Sequence, residues 1–213
     1  MLYLNHIPQS WGFVMKSSNF SAMYSTEIIE KIKQGKIGVI PTDTIYGLVG
    51  SALMPETVEK IYSLRERDRS KAMIILIASI RDLEKFQIEL DSKTKNILQN
   101  LWPGKVSVIL PCPRLEFEYL HRGNNSLAFR IPDFPELQNF LEETGPLVAP
   151  SANPEGQTPA ATIDEAKKYF GDQLNFYVDG GKMESDPSTI IEIQDGKPIV
   201  KRQGAQEINF KKI

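Results

Sequence analysis

The chain has 213 residues, 41% hydrophobic and 24% charged, and 25 Lys and Arg against 27 Asp and Glu give a formal net charge of −2. That balance fits one folded domain with a sizeable core. It excludes a disordered chain and a protein that grips nucleic acid by overall charge. One cysteine (Cys112) and two histidines (His6, His121) exclude an intrachain disulfide and a cysteine-rich or His₃ zinc site.

Residues 1–22 carry no cationic start, long apolar core or small-residue cleavage site, so they read as an N-terminal extension, poorly ordered, on a domain spanning 23–213. Ser25 or Thr26 reads as an N-cap, and Ile28, Ile29 and Ile32 then recur at helical spacing until Gly35. A short buried strand over 37–40 ends at Pro41. Pro55 opens a second helix with Val58, Ile61, Tyr62 and Arg65 on related faces. Residues 73–78 form an apolar run of strand length, far too short to cross a bilayer. Residues 83–86 and 94–101 read as helical, and 106–110 as a strand after the breaker Trp102-Pro103-Gly104. The stretch 112–125 is the least regular and is expected to be a mobile loop, a candidate lid.

Leu127, Phe129 and Ile131 alternate with Ala128 and Arg130, a half-buried strand that turns Arg130 to the opposite face. A helix over 135–143, a strand over 147–149, a helix over 163–170 stopped by Gly171 and a strand over 176–178 follow. Strands over 189–193 and 198–201 flank Asp195-Gly196, a two-residue hairpin signal. Interleaved strands and helices with an antiparallel hairpin at the end predict an α/β domain with a mixed parallel and antiparallel sheet.

The phosphate loops G-x-x-x-x-G-K-[ST] and G-x-G-x-x-G are absent, so a nucleotide would have to be held by side-chain cations and hydroxyls. Three segments are rich in these. Pro41-Thr42-Asp43-Thr44-Ile45-Tyr46-Gly47-Leu48 follows a strand directly, where open α/β sheets bind ligands, although Thr and Asp also make ordinary turns. Arg65-Glu66-Arg67-Asp68-Arg69-Ser70-Lys71 is either a solvated helix C-terminus or a phosphate clamp. Pro150-Ser151-Ala152-Asn153-Pro154 sets a hydroxyl and an amide at a strand end and is equally good turn chemistry. Arg130 and Arg202 are two further cations that could face inward or outward.

Taken together, these segments resemble the YrdC/TsaC family of L-threonylcarbamoyladenylate synthases. The likeness runs in order through the strings at 41–48, 61–67, 101–104, 127–132, 149–154, 179–181, 187–191 and 201–204. It implies a single YrdC-like domain, a twisted sheet with flanking helices and an open, basic concave face. It implies that L-threonine captures bicarbonate as a carbamate, which attacks the α-phosphorus of ATP and expels pyrophosphate, with Mg²⁺ carried by ATP and no metal ligands from the protein. The family's K-x-R and S-x-N pairs fall on Arg65, Arg67, Ser151 and Asn153. Arg67 is then expected on the phosphates, and Ser151 and Asn153 on nucleotide or carbamate. Lys71, Ser126, Thr158 and Arg202 fall where similar proteins contact ATP. Thr44, Arg130 and Ser188 fall where they hold threonine. The resemblance also implies a cytoplasmic protein without the extra C-terminal domain of longer relatives. Its product would pass to separate proteins that modify adenosine 37 of tRNA.

Three departures stand out. Arg65 replaces the usual Lys, Glu66 and Asp68 bring acid into the clamp, and Leu76 stands where some relatives have His. The rival readings are a double-stranded RNA-binding module, another carbamoyl-adenylate former like the domain in hydrogenase maturation factors, and a paralogue with altered chemistry.

Overall fold

The structure, a computed structural model, describes residues 23–194 and 196–209. The extension at 1–22 and Asp195 of the hairpin turn lie outside the described residues. Nine strands among those described join one sheet: β1 (Gly38–Ile40), β2 (Gly47–Ser51), β3 (Ile74–Leu76), β4 (Val106–Pro111), β5 (Ser126–Arg130), β6 (Leu147–Val148), β7 (Phe176–Tyr177), β8 (Thr189–Gln194) and β9 (Lys197–Arg202). Their spatial order is β7-β1-β2-β6-β3-β5-β4-β8-β9. The pairs β1–β7, β3–β5 and β4–β8 run parallel and the others antiparallel, so the sheet is mixed as expected.

Register decides which side chains share a face. Val39 lies opposite Leu48, and Ile75, Phe129, Val108 and Ile191 lie opposite one another in turn. This face is covered throughout. Helix α2 (Pro55–Leu64) brings Val58, Ile61 and Tyr62, α3 (Ser92–Leu101) brings Ile97, Leu98 and Leu101, and α6 (Ile163–Phe170) brings Ile163, Ala166 and Phe170. The opposite face carries Ile40, Val49, Leu76 and Leu147, packed against Ile32 of α1 (Thr26–Lys33) and Leu137, Phe140 and Leu141 of α5 (Pro135–Thr144). Those two helices cover only the β1-β2-β6-β3 half. Beyond them Ala128 and Ile109, opposite one another on β5 and β4, and Ile190 on the same face of β8 are only half-buried. This half of the sheet face is left uncovered by the helices. At its outer edge β9 presents Lys197 and Lys201 to solvent and Pro198 within the strand, which discourages pairing with another chain.

Two elements gain detail over the expectation, and one expectation needs correction. The segment after Pro41 is a loop followed by β2, whose Gly47 and Gly50 gave no strand signal because glycine lacks a side chain to pack. Residues 83–86 are helical as expected, within a 3₁₀ helix over Ile80–Phe86. The stretch 112–125 is not an unstructured loop. It contains a 3₁₀ turn (Leu115–Phe117) and helix α4 (Glu118–His121), with Cys112, Phe117, Leu120 and His121 buried, and the Tyr119 hydroxyl donates to the Ala52 carbonyl at 2.9 Å. Burial of these side chains makes it part of the core wall.

The β1–β7 junction is tight. A Cβ on Gly38 would lie 2.3 Å from the Phe176 ring and 2.5 Å from its carbonyl oxygen. Gly38→Ala should therefore lower unfolding stability by about 1–3 kcal/mol through overpacking. Urea denaturation checks this, and an unchanged midpoint would show that β7 moves aside freely.

Candidate active site

The site assembles where chain segments leave the sheet at the border of its covered and open halves. The loop between β1 and β2 is clipped to the turn after β6: Leu48 N–H donates to the Pro150 carbonyl and Ala152 N–H to the Tyr46 carbonyl, both at 2.9 Å, and Gly47 bridges Ser151. Between these walls, the α2–β3 loop and the end of β9 lies a cavity of about 160 Å³. Thr42, Thr44, Arg65, Arg67, Arg130, Ser151, Ser188 and Arg202 line it, with Tyr46, Pro187 and Ile190 among its apolar walls. Its volume is below the few hundred Å³ of clefts that swallow a drug-sized ligand, so a nucleotide would lie largely across the open mouth.

Arg65 caps the C-terminus of α2 and is only 4% exposed. Its Nε donates to the Asn153 carbonyl at 2.8 Å, and one terminal nitrogen reaches Ser151 Oγ at 3.2 Å and Asn153 Oδ1 at 3.4 Å. Burial, then the neighbouring Arg67 charge, lower its pKa to about 10 against the opposing pull of Glu155. The Asn153 amide nitrogen donates to the carbonyls of Pro154 (2.7 Å) and Gln157 (2.8 Å). Both ends of the Asn153 amide are thus spent inside the chain. This side chain shapes the turn and orients Arg65. Arg67 has Nε on the Lys71 carbonyl (3.1 Å) and a terminal nitrogen on the Ala72 carbonyl (3.0 Å), which sets its guanidinium along the cavity wall.

On the other side Arg130 is buried and ion-paired with Asp43, the two side chains being 5% and 2% exposed. Asp43 also accepts from Asp133 N–H at 3.2 Å. Burial lowers the Arg130 pKa, and Asp43 opposes the shift. Arg130 Nε is buried without a hydrogen-bond partner among the described residues, a donor left for a ligand. The Thr42 and Thr44 hydroxyls lie 3.1 Å apart, and Thr42 donates to the Ile45 carbonyl at 2.7 Å. Ser188 Oγ lies 2.9 Å from Ser107 Oγ, and Arg202 donates to the Ser188 carbonyl at 2.6 Å. Burial, then repulsion from Arg130 and Arg67, lower the Arg202 pKa.

Three residues expected near ATP do not line the cavity. The Lys71 ammonium pairs with Glu155 at 2.6 Å, its side chain 55% exposed. Thr158 is exposed, and its carbonyl accepts from the Tyr169 hydroxyl at 3.0 Å. Ser126 shares the face of Ala128 and Arg130 at the far end of β5. Sequence reading gave no role to Asp43, Tyr46, Ser107 or Glu155. Asp43 had a visible signal, an acid between two threonines at a strand end. Tyr46 anchors the segment leading to Ser188 through Gly180 N–H (2.9 Å) and the Gly181 carbonyl (2.7 Å). Among the described residues no group of three His, Cys, Asp or Glu side chains is arranged to hold a metal, and no helix is long and apolar enough to cross a membrane.

The model of the Sua5/YciO/YrdC family, described as "Telomere recombination", matches residues 30–204. The chain belongs to this family. A threonylcarbamoyl-AMP synthase of Bacillus subtilis is 30% identical over 176 residues, 81% of this chain and 51% of the relative. One of Marinobacter nauticus is 31% identical over 171 residues, 79% of this chain and 90% of the relative. Pyrococcus abyssi Sua5 in complex with L-threonine superposes with a TM-score of 0.76 at 28% identity, covering 83% of this chain and 52% of that one. The chain thus spans about half the length of the Bacillus and Pyrococcus relatives and nine tenths of the Marinobacter one.

In this Sua5/YciO/YrdC domain the Arg130–Asp43 pair stands or falls as a unit, because a buried charge without its partner is far costlier than the pair. Asp43→Asn should destabilise the fold by about 3–5 kcal/mol, and adding Arg130→Met should recover most of that loss. A double-mutant cycle in chemical denaturation checks it. Additive losses would mean that the two side chains do not depend on one another.

Proposed function

We propose that the chain is an L-threonylcarbamoyladenylate synthase, using ATP, L-threonine and bicarbonate. The observation that carries this reading is the convergence of four guanidinium groups, Arg65, Arg67, Arg130 and Arg202, on one cavity where Asp43 pairs only one of them. Like charges desolvated together store repulsion, which the depressed Arg202 and Arg65 pKa values register, and a polyanionic ligand relieves it. The names of the relatives and the threonine complex support the same reading, and they lend nothing to an RNA-binding module or an altered paralogue.

The small cavity suits the amino acid. The unpartnered Arg130 Nε offers its carboxylate a donor, and the Thr44 and Ser188 hydroxyls stand beside it. The threonine amine adds to the bicarbonate carbon, water leaves, and a carbamate remains. A carbamate oxygen then attacks the α-phosphorus of ATP while the bond to the β-phosphate oxygen breaks, and pyrophosphate departs with the electron pair. Charge grows on the α-phosphoryl oxygens and the leaving group, so the fixed guanidinium of Arg67, with Arg202 across the cavity, does most by standing there before reaction. Arg65 and Asn153 keep the Ser151 hydroxyl on the wall. Ser126, Lys71 and Thr158 would meet the nucleotide only where it extends past the cavity. Mg²⁺ comes with ATP, held by phosphates and water. In this reading the protein works in the cytoplasm and passes its product to threonylcarbamoyl-transfer proteins acting on tRNA.

The test follows pyrophosphate release from ATP with Mg²⁺, bicarbonate and each amino acid in turn. Release should need both bicarbonate and L-threonine. Arg67→Ala should lower kcat/KM about 10²–10³-fold, and Asn153→Ala should lower it through loss of the Arg65 anchor. No release with any amino acid would overturn the synthase reading.

A further inference from the structure

The α2–β3 loop carries an unusual burden. Between the cavity arginines, Glu66 has φ of +51°, a left-handed conformation that a non-glycine residue keeps only when its surroundings impose it. The Arg67 side chain is then fastened to the far end of its own loop, at the Lys71 and Ala72 carbonyls. The direction in which Arg67 points is therefore fixed by the shape of 66–72, and something outside the loop must fix that shape.

Glu155 makes three contacts that do this. Its backbone N–H donates to the Arg65 carbonyl at 2.7 Å. One carboxylate oxygen accepts from Asp68 N–H at 2.5 Å, and the other takes the Lys71 ammonium at 2.6 Å. Asp68 in turn folds the loop by accepting from the Ser70 N–H (2.9 Å) and hydroxyl (2.8 Å). The Lys71 ammonium, then the Asp68 N–H, hold the Glu155 carboxyl below the usual carboxylate range. Glu155 follows directly on the Ser151–Pro154 turn that grips Arg65. It therefore bolts that turn to residues 65, 68 and 71 at once, while standing outside the cavity lining. Two other anchors hold residues 69 and 70: Asn124, just after α4, donates to the Ser70 carbonyl (2.9 Å), and Glu59 of α2 pairs with Arg69.

We propose that Glu155 is a positioning residue: it locks the α2–β3 loop in the strained shape that aims Arg67 at the phosphate-bearing substrate. The nucleotide side of this inference rests on the synthase reading; the locking of the loop does not. Glutamine can still accept from the Asp68 N–H, whereas alanine cannot, so the conservative variant separates support from charge. A carboxylate that merely competed with phosphate for Lys71 would act in the opposite direction, since either variant would then free the lysine.

The experiment uses the full chain as wild type, Glu155→Ala and Glu155→Gln. It follows amide hydrogen exchange over 66–72 in the free proteins, titrates ATP with Mg²⁺ by calorimetry, and measures kcat and KM for ATP in pyrophosphate release. Glu155→Ala should exchange faster across 66–72, bind ATP about tenfold more weakly and lower kcat as well as raise KM, because a mis-aimed Arg67 is lost to the transition state too. Glu155→Gln should stay within about threefold of wild type on each measure. Unchanged exchange and affinity in Glu155→Ala would overturn the proposal, and so would tighter ATP binding in both variants. A wild type that failed to bind ATP would sink the nucleotide reading, and exchange over 66–72 would then decide by itself whether Glu155 holds the loop.

Discussion

A guanidinium buried in a protein must find acceptors in fixed directions, and Arg65 finds three of them in one turn. It stands at the end of α2, yet its Nε and a terminal nitrogen are taken by Ser151 and Asn153, some ninety residues later in the chain. Helix α2 packs on one face of the sheet and β6 lies within it, so this contact fixes the helix end against the strand end. The positions of Arg67, Ser151 and the α2–β3 loop follow from it. A lysine has a single point of charge and could not reach three acceptors from a planar fork, so arginine in this place changes the architecture as well as the charge.

The second constraint is coverage. A sheet of nine strands has two faces to hide, and α1 and α5 hide only part of one. The remainder carries alanine, serine and arginine along β5 in place of the large apolar side chains beneath it. The open face is thus written into the side-chain alternation of β5. Its single buried ion pair with Asp43 lets Arg130 sit desolvated at the floor without unfolding the strand.

That alternation is why much of the architecture could be read from sequence. Leu127, Phe129 and Ile131 announce a half-buried strand, and α6 is bounded by Thr162 and Gly171 as its capping residues lead one to expect. Thr42, Thr44 and Ser151 were visible in clusters at strand ends and Arg65 and Arg67 in one at a helix end, whereas Arg130 and Arg202 stood alone with no sign of which way they face. What stayed hidden depends on contacts distant in sequence. Asp43 meets Arg130 across 87 positions, Ser107 meets Ser188 across 81, and Glu155 meets Lys71 across 84. Strand β2 was concealed by its two glycines, of which Gly50 reflects a close neighbour rather than a turn, since a Cβ there would lie 2.4 Å from Thr57. Residues 112–125 look irregular because their turns are short, although their apolar side chains are buried.

The turn that grips Arg65 has a consequence for how the protein ages. An asparagine side chain deamidates when the backbone nitrogen of the following residue attacks its carbonyl carbon and closes a five-membered imide. Asn153 is followed by Pro154, whose nitrogen carries no hydrogen, and its amide is held at both ends by Arg65 and by the carbonyls of Pro154 and Gln157. The usual clock of asparagine decay is stopped at this position. The product it avoids, an aspartate against Arg65, would place a fresh negative charge in a site built to receive phosphate. The amide beside Arg65 therefore stays neutral however long the chain lasts.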